Sequence, residues 1–239
     1  MTGLRLESLW WRLLRFGFRL LYNEFAWTYD IVSWSVSLGH WRRWQRAAIP
    51  HLLTGPNHRV LELAHGTANL QIDLADAGIY TIGLDISPAM GRIARRKLHR
   101  HSVEARLVRG SAMKLPFANS SFTSAISTFP TEFIVHRDTL LEVYRILKPG
   151  GRLVVVPNGM LELANPIARF LEWLYQITGQ RGPWPSDPLD AFRNAGFDSR
   201  LIIEKLADSQ VWIIIAEKTV SGRVVEQQDN QWFSHLRLH

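Results

Sequence analysis

From Arg59 to Lys218, short apolar runs alternate with stretches of helical periodicity. Arg59–Leu63, Tyr80–Asp85, Ala105–Arg109, Phe122–Thr128 and Gly151–Pro157 have the length and β-rich content of strands. Between them, Asn69–Ala77, Pro88–Arg100 and Arg137–Leu147 space their apolar residues by three and four, as helices do. Ser87 as N-cap, with proline at the first helical position, starts the second helix. Lys148-Pro149-Gly150-Gly151 stops the third. Strand and helix in alternation predict an α/β fold, doubly wound, with a mainly parallel sheet covered by helices on both faces. The end of the chain differs. Ser199–Leu206 and Val211–Glu217, separated by Ala207–Gln210, predict an antiparallel hairpin at the sheet edge and bring the strands to seven.

Three segments stand outside this alternation. Residues 1–56 precede it and are expected to form a helical cap. Residues 57–218 would be the main domain, interrupted at 158–187 by a segment with an apolar helix, roughly Leu161–Thr178, and a Gly/Pro-rich turn. An insertion at the carboxyl end of a strand faces the ligand crevice of such sheets, so this one is expected to act as a lid. A short helix, Leu189–Ala195, follows it. Residues 219–239 read as a tail.

Composition changes this picture in two ways. Cysteine is absent, which excludes disulfides, thiolate zinc sites and a cysteine nucleophile, and no metal site is expected. The net charge is +7, and 23 of the 28 basic residues are Arg. Arg suits anionic lipid or nucleic acid surfaces, and charge alone does not choose between them. Six of the ten Trp (Trp10, Trp11, Trp27, Trp34, Trp41, Trp44) fall in the cap. Within Leu4–Tyr22, Arg5, Arg12, Arg15 and Arg19 share an arc of about 80° with Ser8, and most of the rest is Leu, Trp and Phe. Each Arg costs about 2.5–3.5 kcal/mol at a bilayer centre, so the helix does not span. The Arg residues also interrupt any signal-peptide core, and no cleavage is expected. A basic stripe beside a Trp-rich face fits a helix lying in a membrane interface. Packing of that helix on its own domain is the plainer alternative. The expectation is a cytoplasmic chain touching a membrane surface.

The first strand runs into Ala64-His65-Gly66-Thr67-Ala68-Asn69, a turn of small residues opening a helix. Such a turn lets the backbone approach a ligand and aims helix N–H groups at it. Nineteen positions after Gly66, Asp85 ends the second strand. A carboxylate there accepts hydrogen bonds from both ribose hydroxyls of a nucleoside.

At these residues a family resemblance appears. Val60-Leu61-Glu62-Leu63-Ala64-His65-Gly66-Thr67-Ala68-Asn69 resembles the first motif of class I S-adenosylmethionine-dependent methyltransferases. Gly83-Leu84-Asp85-Ile86-Ser87-Pro88-Ala89-Met90 is similar to their second. Gly110-Ser111-Ala112-Met113-Lys114-Leu115-Pro116-Phe117 with Ser121-Phe122 resembles their adenine-side motif, and Leu141–Gly151 matches their helix-to-fifth-strand signature. Phe192–Phe197 resembles the approach to their sixth strand. The resemblance implies a Rossmann-like methyltransferase fold of type 11 character and S-adenosyl-L-methionine as cofactor. By it, Glu62 sits near the methionine amino group, Gly66 lets the backbone pass under the methionyl chain, and Asp85 takes the ribose. Ile86 flanks the adenine, Ser111 and Ala112 meet its edge, and Thr128 lies near the carboxypropyl group. Ala64 and Ala68 depart from the family, which usually has Gly there. Ser111 stands where it often has Asp, and His65 where it often has a smaller residue. The two alanines are expected to weaken cofactor binding rather than abolish it. Tyr144 and Lys148 match a dehydrogenase spacing, but Lys148 precedes a helix stop, where a cation suits the dipole.

Displacement at a sulfonium needs alignment and exclusion of water more than a catalytic dyad. Phe129 and Phe133 are expected to line an apolar pocket. Glu132 and His136 are proton-acceptor candidates, with surface or capping roles as the alternative. Phe25–Trp44 resembles the N-terminal region of ubiquinone/menaquinone-biosynthesis C-methyltransferases and their relatives. That resemblance implies that Tyr29 closes over cofactor and substrate. The aromatics stapling the cap to the sheet is a compatible alternative. The expected activity is methyl transfer to an apolar, lipid-like small molecule, either a prenyl quinone carbon or a lipid head-group amine. The alternatives are a cofactor-binding protein without transferase activity, or an RNA or other small-molecule methyltransferase. The segment after the fourth strand lacks the Asn/Asp-Pro-Pro-aromatic element of amino-methylating DNA enzymes, which disfavours a nucleic acid partner.

Overall fold

The computed structural model describes residues 40–161 and 189–219. The expected helix at Leu4–Tyr22, Tyr29, residues 162–187 of the expected lid and the tail from 220 onward lie outside them.

Seven strands form one sheet. They are β1 (Val60–Leu63), β2 (Thr81–Asp85), β3 (Leu107–Arg109), β4 (Phe122–Thr128), β5 (Leu147–Leu161), β6 (Phe197–Lys205) and β7 (Ser209–Lys218). Their order is β3-β2-β1-β4-β5-β7-β6. The first five pair in parallel, and β7 runs antiparallel to both β5 and β6. This is the doubly wound sheet with a terminal hairpin that the alternation predicts. The order reverses between β1 and β4, and the crevice beyond their carboxyl ends is where such sheets take ligands.

Among the described residues five α-helices accompany the sheet: α1 (Trp41–Ala47), α2 (Asn69–Asp76), α3 (Pro88–Arg100), α4 (Arg137–Ile146) and α5 (Asp190–Asn194). Alternation along the strands sorts the core into two layers. Leu61, Leu63, Ala125, Leu153 and Val155 pack with Leu140 and Val143 of α4 and Phe192 of α5. Val60, Ile126, Val154 and Val156 pack on the other face with Trp44 of α1 and Leu70 and Leu74 of α2. Each such side chain, fully buried, contributes roughly 1.5–3 kcal/mol. Ala94 and Leu98 of α3 close on Ala68 and Ile72. Ser87 caps α3 by accepting from Met90 N–H, with Pro88 at the first position.

Several boundaries are corrected. Only Leu107–Arg109 of the expected Ala105–Arg109 pairs as a strand. β5 begins at Leu147, before the Lys-Pro-Gly-Gly stop, because the register steps from Phe122 opposite Leu147 to Ser124 opposite Arg152 around a bulge. It also continues through Asn158–Leu161, which pair with Ser209–Trp212. The first four residues of the expected lid, and the first of its expected helix, are therefore strand. The cation at the end of α4 is Lys218, whose Nζ donates to the Tyr144 and Leu147 carbonyls at 2.7 and 2.8 Å. Lys148 is exposed. The Tyr144 ring meets Phe197 edge-on at 5.1 Å, in packing rather than in a dehydrogenase pair.

The described part of the cap explains its aromatics. Trp44 is buried, its ring lies against Gly159 of β5, and its Nε1 donates to Ser209 Oγ at 3.1 Å. Trp41 stacks on Phe129 with centroids 3.8 Å apart. Asp73 of α2 is buried and holds both Arg42 and Arg46 of α1, with closest contacts of 2.8 and 2.6 Å. α1 is thus tied to the strand ends and to the helix that follows the small-residue turn.

Candidate functional site

The turn after β1 is tightly wound. Ala64, Gly66 and Ala68 have φ of 58°, 53° and 68°. Left-handed backbone costs an L-residue about 1–2 kcal/mol, and Gly nothing comparable. Both alanines therefore sit where glycine would be unstrained. Ala64 is exposed, whereas Ala68 is buried against α3. Replacing Ala68 with Gly relieves that strain but frees the unfolded chain by about 0.4–1 kcal/mol. A net gain of up to about 1 kcal/mol is expected in urea unfolding. Space above Gly66 is open, since a Cβ there would meet nothing within 4 Å.

Asp85 holds this turn from the next strand. Its Oδ2 accepts from Gly66 N–H at 2.9 Å and its Oδ1 from Ser87 N–H at 2.8 Å. An ionised carboxylate has about four acceptor positions, so two remain for a ligand's hydroxyls. Ile86, the next residue, is an apolar side chain left 69% exposed at the crevice mouth. An open turn, a carboxylate with spare acceptor capacity and an exposed apolar side chain beside it fit the sulfonium nucleoside that the motifs imply.

Below the turn lies a buried polar cluster. Glu62 accepts from Gln71 Nε2 at 2.6 Å, and burial pushes its carboxyl up to about 8. His65 is buried, with Nδ1 donating to the Gly66 carbonyl at 2.9 Å, and burial lowers its pKa. Gly83 makes room for this cluster, because a Cβ there would lie 3.0 Å from His65 Cδ2 and 3.2 Å from Gln71 Nε2. The Glu62 proton carries a pH dependence. Unfolded, the group titrates near 4.5, and folded near 8. Folding therefore retains a proton across that interval, and stability falls as pH rises through it, by on the order of 5 kcal/mol in all. Glu62→Gln is expected to flatten this decline in urea unfolding measured from pH 5 to 8.5.

The loop after β3 is pinned from α4. Glu142 accepts from Leu115 N–H at 2.7 Å, and Arg145 donates to the Leu115 and Phe117 carbonyls at 3.1 and 2.8 Å. The two side chains also pair at 2.8 Å, which lowers the Glu142 pKa and raises that of Arg145. The Glu-x-x-Arg of the helix-to-strand signature is thus a clamp on the segment carrying Ser111 and Ala112. Ser111 Oγ accepts from Met113 N–H within that loop.

At the end of β4, Ser127 donates to the Leu63 carbonyl at 3.0 Å and joins the tips of β4 and β1. Thr128 Oγ1 accepts from Gln45 Nε2 at 2.8 Å. Phe129 follows in a left-handed conformation, φ 50°. Phe129 packs with the α1 layer and Phe133 with the opposite one. His136 caps α4, its Nδ1 accepting from Asp138 N–H at 3.3 Å, which is the capping alternative. Glu132 is exposed on a 3-10 turn, Glu132–Val135. Gln45, Asp73 and the Arg42/Arg46 pair had no local signal, because their partners lie 27 to 83 residues away.

Comparison with known proteins agrees with this geometry. Residues 18–194 match the model of the ubiE/COQ5 methyltransferase family. The demethylmenaquinone methyltransferase of Thermus thermophilus is 34% identical over 164 residues, covering 67% of this chain and 72% of that protein. The enzyme of that name from Paenarthrobacter aurescens is 32% identical over 156 residues, 65% of this chain and 58% of its own length. The fold is shared with geranyl diphosphate C-methyltransferase of Streptomyces coelicolor, solved with S-adenosyl-L-homocysteine (TM-score 0.55, 14% identity, 73% of this chain and 78% of that one). It is shared also with YcgJ of Bacillus (TM-score 0.56, 18% identity, 74% and 99%). The turn, its carboxylate and the clamped loop thus stand in a chain that belongs to the ubiE/COQ5 family of S-adenosylmethionine-dependent methyltransferases.

Proposed function

We propose that this chain methylates a ring carbon of a prenylated quinol, as the names of its relatives suggest. The observation carrying the reading is the family match over residues 18–194, which takes in both the small-residue turn after β1 and the aromatic cap from residue 18 onward. In this reading Asp85 takes the ribose hydroxyls, Ile86 with Ser111 and Ala112 borders the adenine, and Ala64, His65 and Gly66 form the floor under the methionyl chain. Glu62 faces the amino group and Thr128 the carboxypropyl end. When bound, the cofactor supplies an electrophilic methyl. A carbon–carbon bond forms as the sulfur–methyl bond breaks, and the ring carbon's proton leaves to a base.

The chain's own part is to align and to dry the site. Trp41 and Phe129 offer a stacked aromatic surface beside Thr128 on which a flat apolar ring can rest. By the family resemblance Tyr29 would close over cofactor and substrate, and Glu132 or His136 would take the proton. The expected N-terminal helix brings the crevice to the membrane where such substrates reside. Because Glu62 holds a proton below about 8, pairing with an ammonium requires its release. Cofactor affinity is therefore expected to rise between pH 6 and 8 in calorimetry, and to lose that rise in Glu62→Gln.

The direct test is incubation with labelled cofactor and either reduced demethylmenaquinone or phosphatidylethanolamine. Label in the quinone with a mass gain of one methylene supports the proposal. Label only in the lipid amine, or in neither, refutes it.

A further inference from the structure

A charged face of α3 is left unexplained by methyl transfer. Arg92, Arg95, Arg96 and Arg100 are all exposed and lie within an arc of about 140°, opposite the buried Met90, Ala94 and Leu98. α3 contains no acidic residue at all. The neighbouring carboxylates are engaged elsewhere. Asp85 is held by Gly66 and Ser87 N–H, and Glu104 pairs with Arg106. Among the described residues none of these four arginines has a carboxylate partner. Together with Arg109 of the edge strand they wall a cavity of about 640 Å³. His65 and Asp85 line the same cavity, so the basic face borders the cofactor crevice itself. At the crevice mouth two apolar side chains, Ile86 and Met113, are 69% and 41% exposed.

We infer that this face docks on an anionic bilayer surface, with lipid phosphates as the partners of the α3 arginines. Unpaired guanidinium groups seek planar, bidentate phosphate contacts. Like charges crowded on one helix face repel one another, and an apposed anionic surface removes that repulsion. Ile86, just before the N-terminus of α3, and Met113, in the loop after β3, are exposed and can meet the acyl boundary, a pairing of basic groups with apolar side chains that suits a membrane interface. An RNA strand would satisfy the charge but would want aromatic stacking platforms, and the walls of this cavity carry no Phe, Tyr or Trp. The assignment rests in part on the proposed quinol substrate, which requires the crevice to reach a bilayer.

The full chain is sedimented with vesicles of phosphatidylglycerol and phosphatidylcholine, and with phosphatidylcholine alone. Wild type is expected to bind the anionic vesicles only, and less as salt rises. The variant Arg92→Glu, Arg95→Glu, Arg96→Glu, Arg100→Glu is expected to need at least about tenfold more anionic lipid, with its Tm within a few degrees of wild type. Relative to wild type, its rate on a vesicle-embedded quinol should fall much further than its rate on a short-chain, water-soluble one. Equal binding of wild type to both vesicle types, or unchanged binding of the variant, overturns the inference. So does a single-stranded RNA that displaces the vesicles and binds more tightly than they do. Methylation of neither quinol would defeat the substrate proposal, while the sedimentation result would still report on α3.

Discussion

Asp85→Ala is expected to weaken S-adenosylmethionine binding by at least about 100-fold, since hydrogen bonds to a charged acceptor contribute about 1.5–3 kcal/mol each and two are assigned to the ribose. The loss has a second source. The same carboxylate holds Gly66 N–H and Ser87 N–H at 2.9 and 2.8 Å, one on each side of the crevice. Without it the turn after β1 and the start of α3 lose their common anchor, and the left-handed turn loses a restraint on its shape. Asp85→Asn separates the two effects. The amide keeps one acceptor oxygen, so it retains part of the anchoring while losing charge and one ribose contact. Calorimetry should rank affinity as wild type, Asn, Ala. Equal affinity in all three would remove Asp85 from the site.

Gly159→Ala is expected to lower stability by about 3 kcal/mol and Tm by roughly 6–12 °C. A Cβ at this position would lie 2.3 Å from Trp44 Cδ2 and 2.5 Å from Cε3. The indole is rigid, buried and hydrogen-bonded to Ser209, so it cannot step aside without losing that bond. Displacing Trp44 moves α1, and with it Gln45 from Thr128, Trp41 from Phe129 and the two arginines from Asp73. Activity is therefore expected to fall along with stability. Trp44→Leu in the same chain makes room for the methyl. The double variant should cost less than the sum of the two single changes, and strict additivity would show that the two positions do not press on each other.

What could be read in advance follows from how local each signal is. Val60–Leu63, Phe122–Thr128 and Pro88–Arg100 announce themselves through runs, a cap and a proline within a few residues. Asp85 was visible because a strand end and a small-residue turn recur at a spacing that one βαβ unit imposes. β5 runs past both of its expected ends, because Lys148-Pro149-Gly150-Gly151 reads as the stop of a helix and residue 158 as the start of an insertion. Tertiary pairing with β4 and β7 overrides both. Gly159 is there for Trp44, more than a hundred residues earlier, and no local pattern carries such a relation. The same holds for Glu142 and Arg145, recognisable as part of a motif but explained only by the loop they clamp.

A crystal structure of the chain with S-adenosyl-L-homocysteine would probe the cofactor assignment without intermediaries. It should place both ribose hydroxyls within 2.5–3.0 Å of the Asp85 carboxylate oxygens, with the adenine against Ile86 and the amino acid end over Gly66. A nucleoside bound away from the β1 and β2 tips, or one whose ribose does not touch Asp85, would contradict it.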